Sequence, residues 1–290
     1  MTLLVGGAAG SAGDLWVRSF APFLERHWPR SAIAVLNRPG DGGLAAARAL
    51  AAAAPDGRLV GSGSAPLLPA GAVEAGDAGL LERLEFLAAV AEEPLLLVGH
   101  PGSLDDVAGL GRLPGPVILG TPPQGSAAQL AGVALGLALA PRVPLGLLAF
   151  PTAAGAREAV IAGNIPCAML AAPEAIAALR DDRLVPLGVA QARRSPLLPE
   201  VPTLAEQGVP LVLVARRGFA VPAGVPPALL EPLLRALRAA VADPEFAAQA
   251  AARGYVPRFL GPTAWAPEVR RLTGELAARW VSNPWVTPRD

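Results

Sequence analysis

Short apolar runs alternate along the chain with longer stretches in which apolar residues recur at helical spacing. Leu3–Val5, Ala32–Leu36, Leu59–Ser62, Phe86–Val90 and Leu95–Val98 have the length and composition of strands. Val117–Leu119, Leu145–Phe150, Ile165–Leu170 and Val185–Ala190 continue the series, and Ala215–Val221 reads as extended. Between them lie helix patterns. Asp14–Trp28 places Trp16, Phe20, Phe23 and Leu24 on one stripe. Gly43–Ala53 ends at the turn Pro55-Asp56-Gly57. Leu104–Leu110, Ser126–Leu139, Ala153–Ala162 and Pro173–Leu179 follow. Pro227–Ala242 gathers Leu230, Leu233, Leu234, Leu237 and Val241 on one face. Phe246–Arg253 stops at Gly254, and Thr263–Trp280 is a last amphipathic helix. The β-α-β-α order predicts an α/β protein with mainly parallel sheets.

Two of the strand-to-helix connections carry unusual chemistry. Leu3-Leu4-Val5 runs into Ala9-Gly10-Ser11-Ala12-Gly13-Asp14, and Val117–Leu119 runs into Gly120-Thr121-Pro122-Pro123-Gln124-Gly125-Ser126. Each is a glycine- and hydroxyl-bearing loop opening onto a helix, which aims unpaired amides at one point and suits an anion. Ser11, Thr121 and Ser126 add hydroxyls, and Ser126 is placed to cap its helix. The expectation is a protein that grips a small carboxylate between two lobes. Asp14 is expected to orient water or a polar ligand group, or to cap its own helix.

Composition removes other chemistries. The 290 residues suffice for two domains, and a formal net charge of zero argues against bulk nucleic-acid binding. All 24 basic residues are Arg, so no Schiff-base lysine and no lysine phosphate loop can form. Cys167 is the single cysteine, flanked by apolar residues, and reads as a buried inert thiol. With only His27 and His100 besides, neither a metal site nor a cofactor is expected. The longest apolar stretch, Ala127–Ala140, stops at Pro141-Arg142, short of the about 20 residues of a membrane span. The first strand begins at Thr2 with no basic region before it, as in a cytoplasmic protein or a mature or truncated form of an exported one.

Three further constellations read as structural. Gly40-Asp41-Gly42-Gly43-Leu44-Ala45 matches G-x-G-x-x-A, but Asn37-Arg38-Pro39 separates it from its strand. A nucleotide-dependent α/β enzyme using this turn is the alternative function. No G-x-S-x-G elbow exists, and His100, Ser103 and Asp105 are close only in sequence. Glu92-Glu93 are adjacent, so they do not converge on one substrate.

Taken together, these segments resemble the Bug-type solute receptors of tripartite tricarboxylate transporters. The resemblance rests on Gly10, Asp14 and Arg18 in the first loop, on Asn37-Arg38-Pro39-Gly40 with Gly42-Gly43, and on Pro55-Asp56-Gly57. It continues through Gly120-Thr121 with Gly125-Ser126, Ala162-Gly163-Asn164-Ile165, Leu198–Gly208 and Val221–Pro226. The chain differs from the pattern at Gly6-Gly7, Ser11, Gln129, Phe150-Pro151-Thr152 and Arg216-Arg217. The resemblance implies a two-lobed periplasmic-binding-protein fold of type II, a Venus flytrap. Lobe one would comprise residues 1–99 plus 217–290 and lobe two residues 100–216. It further implies a non-enzymatic, monomeric periplasmic receptor that passes a small organic carboxylate to membrane permease subunits. Gly10, Ser11, Ala12, Asp14, Ser64, Gly120, Thr121, Gly125, Ser126, Phe150 and Thr152 would bind the ligand, and the Gly40 turn would be structural.

Overall fold

The computed structural model describes residues 1–28, 32–140 and 142–285. Pro141, the expected stop of the longest apolar stretch, lies outside them. The chain divides into two compact units. Unit 1 is Met1–Glu92, Arg216–Ala250 and Pro257–Pro284; unit 2 is Glu93–Ala215, Ala251–Val256 and the segment from Trp285.

The chain begins with β1 (Thr2–Val5), α1 (Ala12–His27), β2 (Ala34–Asn37), α2 (Leu44–Ala51), β3 (Leu59–Ala65), α3 (Leu67–Glu74) and β4 (Leu84–Glu93). It continues with β5 (Leu95–Gly99), β6 (Val117–Thr121), α4 (Ala127–Leu139), β7 (Leu145–Ala149), α5 (Ala153–Ile161), β8 (Cys167–Ala171), α6 (Ala172–Arg180) and β9 (Val185–Val189). Last come β10 (Ala215–Pro222), α7 (Pro227–Ala242), α8 (Pro244–Ala252), β11 (Val256–Leu260) and α9 (Pro262–Ser282).

Unit 1 holds a six-stranded sheet in the order β11-β4-β10-β3-β1-β2. β1 runs parallel to β2 and β3, and β10 runs antiparallel to β3. Trp16, Phe20 and Phe23 of α1 pack with Phe219 of β10 and Phe246 of α8 in one aromatic cluster. Ala220, the next residue of β10, turns to the opposite face and packs with Leu44, Leu50, Leu80 and Trp265. That alternation buries both faces of the sheet. Unit 2 holds a five-stranded sheet, β7-β6-β8-β5-β9. β6 is parallel to β7 and β8, whereas β5 is antiparallel to β8 and β9, so both sheets are mixed.

Three elements differ from the sequence pattern. The helix expected over Leu104–Leu110 is instead a six-residue 3-10 helix at Val107–Arg112, where Asp106 Oδ1 accepts from Gly109 N–H at 2.7 Å. Glycines at 109 and 111 disfavour a longer α-helix there. α3 lacks an apolar stripe because its residues are apolar all round, with Pro69, Ala70, Ala72 and Val73 buried. β11 carries Pro257 and lies at the sheet edge, where a missing N–H is tolerated.

Candidate functional site

In unit 1, β1 ends at Val5, opposite Ser62 of the parallel strand β3, which runs on to Ala65. Open α/β sheets bind ligands outside such carboxyl ends, and the first loop lies there. Ser11 caps α1, its Oγ accepting from Asp14 N–H at 3.3 Å. A capping hydroxyl keeps its own O–H to give to a ligand. Ser11 N–H is used within the loop, bonding to Ala8 O at 3.0 Å, and Gly10 N–H is taken by Asp14 Oδ2 at 2.8 Å. The first-turn amides an α-helix leaves for outside acceptors are therefore those of Ala12 and Gly13. Gly13 is a residue the sequence reading did not include.

Asp14 is 2 % exposed. Its Oδ1 receives Arg18 Nε–H and Asn37 Nδ2–H, each at 2.9 Å. The Arg18 bond, with the Gly10 amide and Asn37, holds its carboxyl down to about 2. Asn37 also donates to Gly7 O at 2.9 Å and accepts from Arg18 Nη2 at 3.0 Å. Asp14 thus closes the loop on itself and on β2.

The glycines before the cap have a packing cause. A Cβ on Gly7 would lie 2.3 Å from Ser11 Oγ, and one on Gly6 2.7 Å from Gly43 Cα. Gly6-Gly7 lets the Gly40–Ala45 turn sit directly against the first loop, which makes that turn its support. Ser64 lies opposite Arg217 across β3 and β10, and Arg217 Nη1 is 3.8 Å from where a Gly13 Cβ would be. Gly10, Ser11, Ala12, Asp14 and Ser64 all belong to this end of unit 1.

Unit 2 repeats the arrangement. β6 ends at Thr121, whose carbonyl accepts from Phe150 N–H at 2.9 Å. Thr121 is fully buried and its hydroxyl has no hydrogen-bond partner among the described residues. Such a group calls for a ligand or a water. Ser126 caps α4 by accepting from Gln129 N–H at 3.2 Å, and Thr152 caps α5 by accepting from Gly155 N–H at 3.0 Å. Gly125 N–H is held by Gln129 Oε1 at 3.2 Å, and Gln129 Nε2 donates to Trp285 O at 2.9 Å. Gln129 is thus a loop holder beyond the predicted set, and Ala127 and Ala128 offer the outward amides. A Cβ on Gly120 would meet Ile165 Cδ1 at 2.5 Å, so the Ile165 side chain would have to shift. Phe150 packs over Gly120 and Gly155, each of whose Cβ atoms would be 3.4 Å from its ring.

The remaining candidates are structural. His100 Nδ1 faces Pro101 O at 2.8 Å, and Ser103 Oγ donates to the His100 carbonyl. Glu92 pairs with Arg216. Cys167 is fully buried, and burial pushes its thiol up to about 12. Among the described residues no group of three His, Cys, Asp or Glu could hold a metal ion, and no helix is long and apolar enough to cross a membrane.

Comparison with known proteins places these loops in context. Residues 30–260 match the tripartite tricarboxylate transporter family receptor, TctC. Protein BugT of Bordetella pertussis is 28 % identical over 289 residues, spanning 96 % of this chain and 86 % of that one. The crystal structure of a TctC solute-binding protein from Polaromonas superposes with a TM-score of 0.83 at 22 % identity, over 97 % of this chain and 98 % of that one. MatC from Rhodopseudomonas palustris, solved with bound malate, gives 0.74 at 23 % identity over 97 % of both chains.

Proposed function

Because the chain belongs to the tripartite tricarboxylate transporter receptor family, we propose that the donor-rich ends of units 1 and 2 both serve one small organic carboxylate. The protein is a carboxylate-binding solute receptor, and the nucleotide-enzyme alternative loses its site once the Gly40 turn is spent on supporting the first loop. The observation that carries the reading is the buried Thr121 hydroxyl, which has no hydrogen-bond partner among the described residues, in the loop that leads to the Ser126-capped helix α4.

In this reading the Ala12, Gly13, Ala127 and Ala128 amides and the Ser11, Ser126 and Thr121 hydroxyls receive the carboxylate oxygens. Charge-assisted bonds of this kind are stronger than neutral ones. Ser64, Phe150 and Thr152 border the ligand, while Asp14, Gly10, Gly120 and Gly125 shape the loops. Two lobes close by a hinge motion, and the ligand favours the shut state by its differential affinity. The receptor acts in the periplasm as a monomer, without catalysis, and hands its ligand to membrane permease subunits. Malate bound to the R. palustris relative supports the ligand class.

The test is thermal stabilisation of the purified protein by a panel of mono- and dicarboxylates beside NAD and ATP. A rise in Tm with carboxylates alone is expected. Stabilisation by nucleotides alone would overturn the reading.

A further inference from the structure

Ser126 and Gln129 open α4 with the spacing of a capping box, but one bond is displaced. The Ser126 hydroxyl accepts from Gln129 N–H at 3.2 Å, while the Gln129 side chain reaches past the cap residue to Gly125 N–H, also at 3.2 Å. That second bond needs only an acceptor, and glutamate supplies one as readily as glutamine. The donor half of the amide is what this position adds. It is spent on Trp285 O at 2.9 Å. Gln129 is 4 % exposed, so both halves depend on protein partners.

Trp285 is the third residue after α9, and its side chain is also 4 % exposed. The chain up to Pro284 belongs to unit 1, and Trp285 belongs to unit 2 together with Gln129. A buried aromatic ring anchors the backbone that carries it, so the carbonyl that Gln129 meets stands in a fixed place. Gly125, at the other end of the amide, has a φ of 77° and precedes the Ser126 cap. We infer that Trp285 is a positioning residue of the carboxylate site. The buried indole fixes its own carbonyl, and the carbonyl fixes the Gln129 amide. The amide in turn fixes the Gly125 turn, which aims the Ser126 hydroxyl and the first amides of α4. This inference rests on the receptor reading above.

Two readouts test it: amide exchange at Gly125 in the ligand-free protein, followed by NMR, and calorimetry with succinate, adipate and benzoate. The variants are Gln129→Leu, Trp285→Ala, Trp285→Phe and the double variant Gln129→Leu/Trp285→Ala. Gln129→Leu should speed Gly125 exchange and weaken the acid that the wild type binds best, each by about 10-fold, as for a buried donor left without its acceptor. Trp285→Ala should shift both readouts in the same direction, although its side chain makes neither bond of the Gln129 amide. The Ser11 amide of the first loop, bonded to Ala8 O, should keep its rate. Trp285→Phe should give a smaller rise of the same pattern, and it carries the test if Trp285→Ala does not fold. The double variant should bind no worse than Gln129→Leu, because both residues act along one line of contacts. Wild-type exchange and affinity in the folded Trp285 variants would overturn the inference. So would an equal rise in exchange at Ser11, or losses that add in the double variant, since a residue that only stabilises the fold produces both. If the wild type binds none of the three acids, the receptor reading falls, and Gly125 exchange alone still decides whether Trp285 holds the loop.

Discussion

Asn37 Nδ2 lies 2.9 Å from Asp14 Oδ1, so the end of β2 holds the start of α1. The same Asn37 nitrogen reaches Gly7 O, and Asp14 reaches back to Gly10 N–H. Loop and helix are fixed together before any ligand arrives. Preorganisation of this kind lowers the ordering cost of binding. Asn37→Leu and Asp14→Asn should each weaken carboxylate binding by about 10-fold or more, from loss of charge-assisted bonds, while far-UV circular dichroism stays unchanged. Full affinity in both variants would show that the clamp does not shape the site.

The same carboxylate predicts an acid limit. Asp14 is held down to about 2, chiefly by Arg18, and Asp243 to about 2, chiefly by His27. Carboxyls lowered in the folded state contribute stability that is complete above their ordinary value near 4 and lost as pH falls towards 2. Denaturant midpoints should therefore fall steeply between about pH 4 and pH 2. The double variant Asp14→Asn/Asp243→Asn should flatten that slope. An equally steep slope in the variant would assign the acid limit to other groups.

Cys167 gives a prediction about reactivity. The thiolate is the nucleophile, and a fully buried thiol raised to about 12 supplies almost none at pH 8. The native protein should leave Ellman's reagent unreacted and release one equivalent only in denaturant. Rapid labelling of the folded protein would place the thiol at the surface.

Gly218 and Gly63 face one another across β10 and β3, yet they should respond differently to alanine. A Cβ on Gly218 would lie 2.5 Å from Ala88 O, a backbone atom, while one on Gly63 would find Leu68 Cδ2 at an ordinary 3.5 Å. Gly218→Ala should cost about 1–3 kcal/mol through overpacking. Gly63→Ala should stay within about 1 kcal/mol of wild type, or gain slightly from a less flexible unfolded chain. Urea midpoints decide, and similar losses in the two would discard the steric account.

The strand runs and long helices were legible because each buries one consistent face. α3 was not, since an element apolar on every side carries no periodicity. At the site, Ser11, Ser126 and the glycine loops stood out locally. The supporting residues did not, because their partners are remote: Asn37 acts 23 positions from Asp14, and Gln129 acts on a carbonyl 156 positions away. Two neighbouring arginines on a strand must face apart, but the sequence leaves open which one meets α1. Packing of Phe219 on Trp16 decides that.

Ser126 separates the cap from the site. Its Oγ accepts from Gln129 N–H, and in the proposed site its O–H goes to the ligand. Ser126→Ala removes both functions and should cost about 1 kcal/mol of stability with weaker binding. Ser126→Asp removes only one. Aspartate caps helices as well as serine does, and its charge is favourable at a helix start. The same charge stands where the ligand carboxylate would, at a cost of a few kcal/mol at short range. The Asp variant should therefore melt at or above the wild-type temperature while losing carboxylate affinity by about 100-fold or more. The two measurements must diverge: a destabilised variant would mean that the cap geometry had been lost. A stable variant that binds as tightly as wild type would move the carboxylate away from the start of α4.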